Sequence, residues 1–198
     1  MKKLNIALLA LALTLSIASC KENKEEENMD SNNTDMEMED SSNEDENMDE
    51  PKTVNVPMGS KSGSDVTGSI IFTEKGDEVE MVVELVGLEE GSHAIHLHQN
   101  GDCSADDASS AGGHWNPTSE DHGSWGDNQH HKGDIGNLQA DAEGNASLVF
   151  STDKWCIGCD DENKNIVGKG VIVHAKADDF TSQPSGAAGA RVACGVVE

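Results

Sequence analysis

From residue 53 onward apolar and polar side chains alternate, in Thr53-Val54-Asn55-Val56, Gly68-Ser69-Ile70-Ile71-Phe72-Thr73 and Val79-Glu80-Met81-Val82-Val83-Glu84-Leu85. Neighbouring side chains of an extended chain point to opposite faces, so this period of two predicts strands with one buried face. Gly76-Asp77, between the second and third segments, is a tight-turn signal that makes them consecutive antiparallel strands. Further short strands are expected over residues 93–98, 146–150 and 170–174, separated by long stretches rich in Gly, Ser and Asp. Short strands joined by long loops point to an all-β sandwich or Greek-key barrel rather than alternating strands and helices.

The first fifty residues carry no such alternation. Lys2 and Lys3 precede an apolar run over residues 4–17 that is too short to span a bilayer comfortably, and Ile17-Ala18-Ser19-Cys20 follows. Small residues just before a Cys resemble a bacterial lipobox, in which the thiol is lipidated and cleavage leaves Cys20 first. The alternative is an ordinary secretory signal with a chance Cys. Residues 1–19 are thus expected to be a lipoprotein signal peptide, and on either reading the mature chain leaves the cytosol, so disulfides are allowed. Residues 21–50 hold 14 acids, two Lys and almost no aliphatic side chain, too little apolar surface to offset the entropy of ordering. With Cys20 they are expected to form a disordered acidic tether over 20–51, ahead of a folded domain over 52–198. Met29, Met36, Met38 and Met48 in this tether carry thioethers that can bind cuprous copper, although a spacer role is the plainer reading. The acids after Cys20 also resemble export signals of some surface lipoproteins.

The 198-residue chain carries a formal net charge of −25, from 38 acidic against 13 basic side chains, which argues against nucleic acid as a partner. Residues 51–198 keep 24 of the acids and nine of the bases, so the folded part is acidic too. An aromatic content of 3% leaves the core to Val, Ile, Leu and Ala, and 20 Gly indicate many tight turns. Charge does not account for eight His and five Cys, side chains whose shared role is to bind metals.

His96-Leu97-His98 lies on a predicted strand, where residues two apart share a face, so two imidazoles converge on one point. His93, at an odd offset, turns to the other face and is expected to hydrogen-bond loop backbone. His114, His122, His131 and Asp134 fall within a Gly-rich loop that has little hydrophobic reason to be ordered. Three imidazoles and a carboxylate make a tetrahedral zinc set, and the metal would itself order the loop. Spacing alone does not choose between His131 and its neighbour His130. His174 ends the aliphatic strand Val171-Ile172-Val173 and can return to the face of His96 and His98. The bland alternative, surface histidines of an acidic protein, does not explain why all eight fall between residues 93 and 174.

With Cys20 assigned to lipid, Cys103, Cys156, Cys159 and Cys194 remain, an even number with three pairings. The Cys156-x-x-Cys159 motif has no strand–helix–strand context, which disfavours a thioredoxin-like role and leaves a local disulfide, free thiols or a metal site. A local disulfide there leaves Cys103 to pair with Cys194.

Six segments together are similar to the copper–zinc superoxide dismutase family and occur in its order across residues 53–198. They are Gly91-Ser92-His93-Ala94-Ile95-His96-Leu97-His98, Gly101-Asp102-Cys103, Ala111-Gly112-Gly113-His114-Trp115-Asn116-Pro117, His131-Lys132-Gly133-Asp134-Ile135-Gly136-Asn137, Val173-His174-Ala175-Lys176-Ala177-Asp178-Asp179 and Gly189-Ala190-Arg191-Val192-Ala193-Cys194-Gly195-Val196. The resemblance implies an eight-stranded Greek-key β-barrel with long metal-binding and electrostatic loops. It places copper on His96, His98, His114 and His174, and zinc on His114, His122, His131 and Asp134, so that His114 is shared and His131 is chosen over His130. It implies that Asp178 links a copper histidine to a zinc histidine, that Cys103–Cys194 is a disulfide, and that Arg191 beside the copper positions the anion.

The implied function is a superoxide dismutase, lipid-anchored through Cys20 and protecting the cell envelope, periplasmic or surface-exposed, with copper cycling between two oxidation states. A catalytically silent module that stores or delivers copper is the alternative; loss of a copper histidine or of Arg191 would favour it, and none is lost. Bacterial members of the family differ in oligomeric state, which leaves a homodimer open. One departure stands out: residues 180–190, where many members carry charges that steer superoxide, hold no charged side chain. The C-x-x-C motif is a second departure.

Overall fold

The computed structural model describes residues 50–198; the expected signal peptide, Cys20 and almost all of the acidic tether with its four Met lie outside the described residues. Eight strands form, β1 (Thr53–Ser60), β2 (Thr67–Lys75), β3 (Glu78–Val86), β4 (Gly91–His98), β5 (Asp134–Ala140), β6 (Ala146–Thr152), β7 (Gly170–His174) and β8 (Arg191–Val196), with one short 3-10 turn at Ser109–Ala111. They close into an antiparallel barrel in the order β1-β2-β3-β6-β5-β4-β7-β8. The steps from β3 to β6 and from β4 to β7 are the crossovers of a Greek key, and closure leaves no free sheet edge. No helix among the described residues is long and apolar enough to cross a membrane.

Alternation decides the β1–β2–β3 side. In β3 every second residue, Val79, Met81, Val83 and Leu85, is buried while Glu78, Glu84 and Val86 are exposed. Gly76, with φ 61°, and Asp77 make the two-residue turn between β2 and β3, a backbone that glycine adopts without strain. Phe72, Ile70, Met81, Val83, Leu85, Ile95, Leu97 and Leu138 fill the barrel.

The other side breaks the alternation because its strands are covered on both faces. In β4, residues 93–98 are all buried: Ile95 and Leu97 join the barrel core, while His96 and His98 face outward under the long loops. In β7, Val171 and Val173 point inward, and Ile172 packs outward with Ala108, Ala111 and Cys194 in a small second cluster beneath the loop that follows β4. Two strands escape a pattern reading altogether. β5 contains Asp134, Gly136 and Asn137, residues poorly suited to strands, and β8 is built from small side chains with no apolar rhythm. Pairing with β4 and β7, rather than local propensity, makes them strands.

Among the described residues two disulfides form. Cys103–Cys194 ties the loop after β4 to β8, and Cys156–Cys159 closes the C-x-x-C locally in the β6–β7 connection.

Candidate metal centre

The outward face of β4 presents His96 and His98, the end of β7 presents His174, and the loop after β4 returns His114 through a bridge to His98. The ligand atoms of these four lie within 4.8 Å of one another, and a second group, His114, His122, His131 and Asp134, meets the same limit. All seven residues are buried, and His114 belongs to both groups. His130 belongs to neither: its Nδ1 lies 2.8 Å from His131 O, its Nε2 lies 3.1 Å from Lys154 Nζ, and its ring stacks on Trp125. His93 faces the barrel and meets two backbone carbonyls, His174 O at Nδ1 and Glu89 O at Nε2.

Hydrogen bonds at the far side of each ring show what the near side is for. His98 Nδ1 donates to Gly112 O at 3.0 Å and His174 Nδ1 to Gly189 O at 3.3 Å. His96 Nε2 and His122 Nε2 both donate to Asp178, at 2.8 and 2.9 Å. A proton fixed on one nitrogen leaves a lone pair on the other. His96 Nδ1, His98 Nε2, His114 Nε2 and His174 Nε2 are then buried with no hydrogen-bond partner, as is His122 Nδ1. Orphaned buried polar atoms are rare because each forfeits its hydration. Four converging on one place, all imidazole nitrogens, fit a copper ion.

The second group fits a tetrahedral ion. His114 Nδ1 and His131 Nδ1 stand 2.7 and 3.1 Å from Asp134 Oδ1, and 3.4 Å from each other. Donors on a zinc tetrahedron with bonds of about 2.0 Å are roughly 3.3 Å apart. His122 Nδ1 approaches Asp134 Oδ2 at 3.0 Å but not in hydrogen-bond geometry, which is how a ligand atom aimed at a shared ion is disposed.

Known proteins can now be set beside this arrangement. Residues 66–197 match the family model of copper/zinc superoxide dismutase (SODC). The chain belongs to that family. It is similar to the extracellular superoxide dismutase [Cu-Zn] of Drosophila melanogaster, 36% identical over 140 residues that make up 67% of this chain and 75% of that protein. Among solved structures it resembles the clock protein EA4, with TM-score 0.66 and 31% identity over 74% of this chain and 94% of that one. It also resembles a double mutant of a SOD-like protein from Bacillus subtilis, with TM-score 0.65 and 32% identity over 72% of this chain and 95% of that one. As a member of the family the protein is an oxidoreductase, a superoxide dismutase whose metals are copper and zinc.

Electrostatics separates the two groups of side chains. Burial, reinforced by the neighbouring His114, His174 and Arg191, pushes His98 down to about 2. Burial likewise lowers His174 to about 3, and lowers His114 to about 4 even though Asp134 pulls the other way. These rings are neutral at any physiological pH, the state that metal binding requires. Burial opposes a charge on His122 as well, but the Asp134 and Asp178 carboxylates beside its two nitrogens outweigh it and raise the ring to about 9. Without metal, His122 therefore keeps a proton between two carboxylates. Asp134 and Asp178 are held well below the carboxylate range by those same imidazoles, against the effect of burial.

The mouth of the centre is a cavity of about 400 Å³ lined by His98, His114, His174, Pro184, Ser185 and Arg191. Arg191 Nη1 and Nη2 donate to Ala108 O and Gly112 O at 2.6 and 2.7 Å, so the loop tied down by Cys103 fixes the guanidinium. Two residues that the sequence did not single out complete the site. Asn137 on β5 exchanges two hydrogen bonds with the backbone of Asp178, at 2.7 and 3.1 Å. Gly186 sits against Asp178 and His122 Nε2 with φ 64°, where a Cβ would collide with the Asp178 carboxylate. The signal for Asn137 was its place in the motif after Asp134; Gly186 carried none, being one glycine among 20. Next to the C-x-x-C, the Trp155 indole N–H donates to Lys132 O at 2.9 Å, beside His131.

Proposed function

We propose that the protein disproportionates superoxide at a copper held by His96, His98, His114 and His174, beside a zinc held by His114, His122, His131 and Asp134. The observation that carries this reading is the set of four buried, unpartnered imidazole nitrogens converging on one place. Bound copper would supply one-electron redox cycling, and zinc, which has no redox chemistry, a fixed positive charge.

The chain's own groups do the rest. Two superoxide ions and two protons give one dioxygen and one hydrogen peroxide, so the site must bind an anion and deliver protons. Arg191, held by two carbonyls and turned into the mouth, attracts and orients the anion with a guanidinium that stays charged even though burial lowers its affinity for the proton. His114 offers Nδ1 to one ligand group and Nε2 to the other, and Nε2, on the copper side, is the atom at which a proton is held for the peroxide. Asp178 locks the rings of His96 and His122 together, keeping both groups in register. Metallated protein is expected to contain about one copper and one zinc per chain and to dismutate superoxide; a single metal per chain, or two metals with no activity, overturns the reading.

The same proposal places residues 52–198 as the catalytic domain on a tether over 20–51, anchored by lipid at Cys20 after removal of residues 1–19, and protecting the cell envelope. The lipobox-like residues before Cys20 support it, as does similarity to a fly enzyme described as extracellular. Cys20→Ala is expected to release the protein from membranes, and continued membrane fractionation refutes the anchor.

A further inference from the structure

Gln183 lies in the stretch without charged side chains that walls the mouth, between Asp178 and Arg191, and no motif singles it out. Its amide meets the backbone of His122, 61 residues earlier. Gln183 Oε1 accepts from His122 N–H at 2.9 Å, and Gln183 Nε2 donates to His122 O at 2.9 Å. A side-chain amide that satisfies both backbone groups of one residue fixes that residue in rotation as well as position, as Asn137 does for Asp178 on the opposite side of the centre. The base of the clasp is itself braced. Asp179 accepts from Thr181 N, Ser182 N and Ser182 Oγ, and Gly186 N donates to Ser182 O at 2.7 Å.

We propose that Gln183 is a positioning residue for the zinc site, which rests on the assignment of His122 as a zinc ligand made above. His122 is the ligand most in need of such a device. His114 has a bridge to β4, while His131 N donates to Asp134 Oδ2 at 2.7 Å within a short turn at the start of β5. His122 stands midway along the loop between those anchors; Gly123 N–H donates to Asp134 Oδ2 at 3.2 Å on one side of it, and the clasp holds both backbone groups of His122 itself. With Asp178 on Nε2 and Gln183 on the main chain, Nδ1 is aimed before the ion arrives, and the ion takes the place of its proton. The clasp also joins the zinc loop to the wall formed by Pro184 and Ser185, so one amide ties zinc binding to the shape of the entrance. The outer side of Gln183 is exposed, so replacing it leaves the barrel core untouched.

The test uses the full chain, stripped of metal with a chelator and titrated with zinc and, separately, with copper against a chromophoric competitor. Gln183→Ala and Gln183→Glu are expected to weaken zinc binding about tenfold, the range for an outer partner of a metal ligand, while copper affinity changes by less than about twofold. The glutamate variant is isosteric but sets a carboxylate oxygen against His122 O, so it shows the loss even if the alanine variant folds poorly. Cobalt(II) bound in place of zinc should show a shifted visible spectrum in both variants, which a general loss of stability would not cause. Zinc affinity of both variants within about twofold of the parent, or copper and zinc weakened equally, overturns the proposal. His122→Ala is the control: it should abolish tight zinc binding, and if it does not, the zinc assignment fails rather than the role of Gln183.

Discussion

The β2–β3 hairpin buries Ile70, Phe72, Met81, Val83 and Leu85 in nine consecutive cross-strand pairs, whereas the loop over residues 99–133 buries little more than Ala108, Ala111, Trp115 and four imidazoles. One region is ordered by apolar area removed from water, and its register follows because a slip of one residue would turn every core side chain outward. The other has no such drive. It is ordered by a disulfide, by a hydrogen bond from His122 to Asp178, by the reciprocal pair between His122 and Gln183, and by lone pairs that need a metal. Damage to the first region should therefore lower stability, and damage to the second should lower activity or metal binding first.

The largest expected effect is His174→Ala, which should reduce dismutation to background while zinc is retained; preserved activity would remove His174 from the copper site. Phe72→Ala should do the reverse, costing about 3–5 kcal/mol in denaturant unfolding while a correctly folded fraction keeps both metals. Loss of copper from that fraction would mean that the two regions are not separable. Breaking Cys103–Cys194 with Cys103→Ser and Cys194→Ser lies between these extremes. Opening a closed loop with a sequence separation of 91 costs about 4–5 kcal/mol and also frees the carbonyls that hold Arg191, so stability and rate should fall together.

A pH titration of the metal-free protein sharpens the comparison further. His98, His114 and His174 have folded values of about 2, 4 and 3 against an ordinary 6.5, so below pH 6.5 the unfolded chain takes up protons that the folded chain refuses. Stability should fall as pH drops from 6.5 towards 4, and continue to fall as Asp134 and Asp178 protonate. His122 runs the opposite way: its contribution is complete below 6.5 and is lost as pH rises through about 9. Bound metal should flatten both limbs above pH 6, and calorimetric scans with and without metal would detect a failure to do so. The smallest effect concerns salt. With no charge in residues 180–190 and an acidic domain around the mouth, attraction of the anion rests mainly on Arg191, so stopped-flow rates should fall only weakly with ionic strength. A steep fall would point to steering charges elsewhere.

Most of the hairpin region was legible as pattern. Alternation in residues 53–56, 68–73 and 79–85 marks β1, β2 and β3, although each strand runs a few residues further than its apolar core. β5 and β8 were not legible in that way, because Asp134, Gly136, Asn137, Ala193 and Gly195 have no strand preference of their own and are extended by their neighbours. In the metal region the His and Asp residues were legible as chemistry and, through resemblance, as two ligand groups. The choice of His131 over His130 was not available from spacing, since it depends on Trp125 and Lys154 occupying the other ring. Gln183 and Gly186 were invisible, because an amide and a glycine in a polar loop acquire meaning only against a partner 61 or eight residues away.

By itself the sequence determined which residue types were available and where apolar periodicity would form a sheet: the strands of one half-barrel, the number of imidazoles, the four cysteines after residue 100 and the absence of charge between Asp179 and Arg191. Those properties are local, set by side-chain chemistry and by the two-residue repeat of an extended chain. Only the tertiary structure decided which nitrogens lose their hydrogen-bond partners and point at one another. That depends on β4 and β7 lying side by side, on a loop pinned by Cys194, and on carbonyls and carboxylates distant in sequence that fix the proton on the far side of each ring.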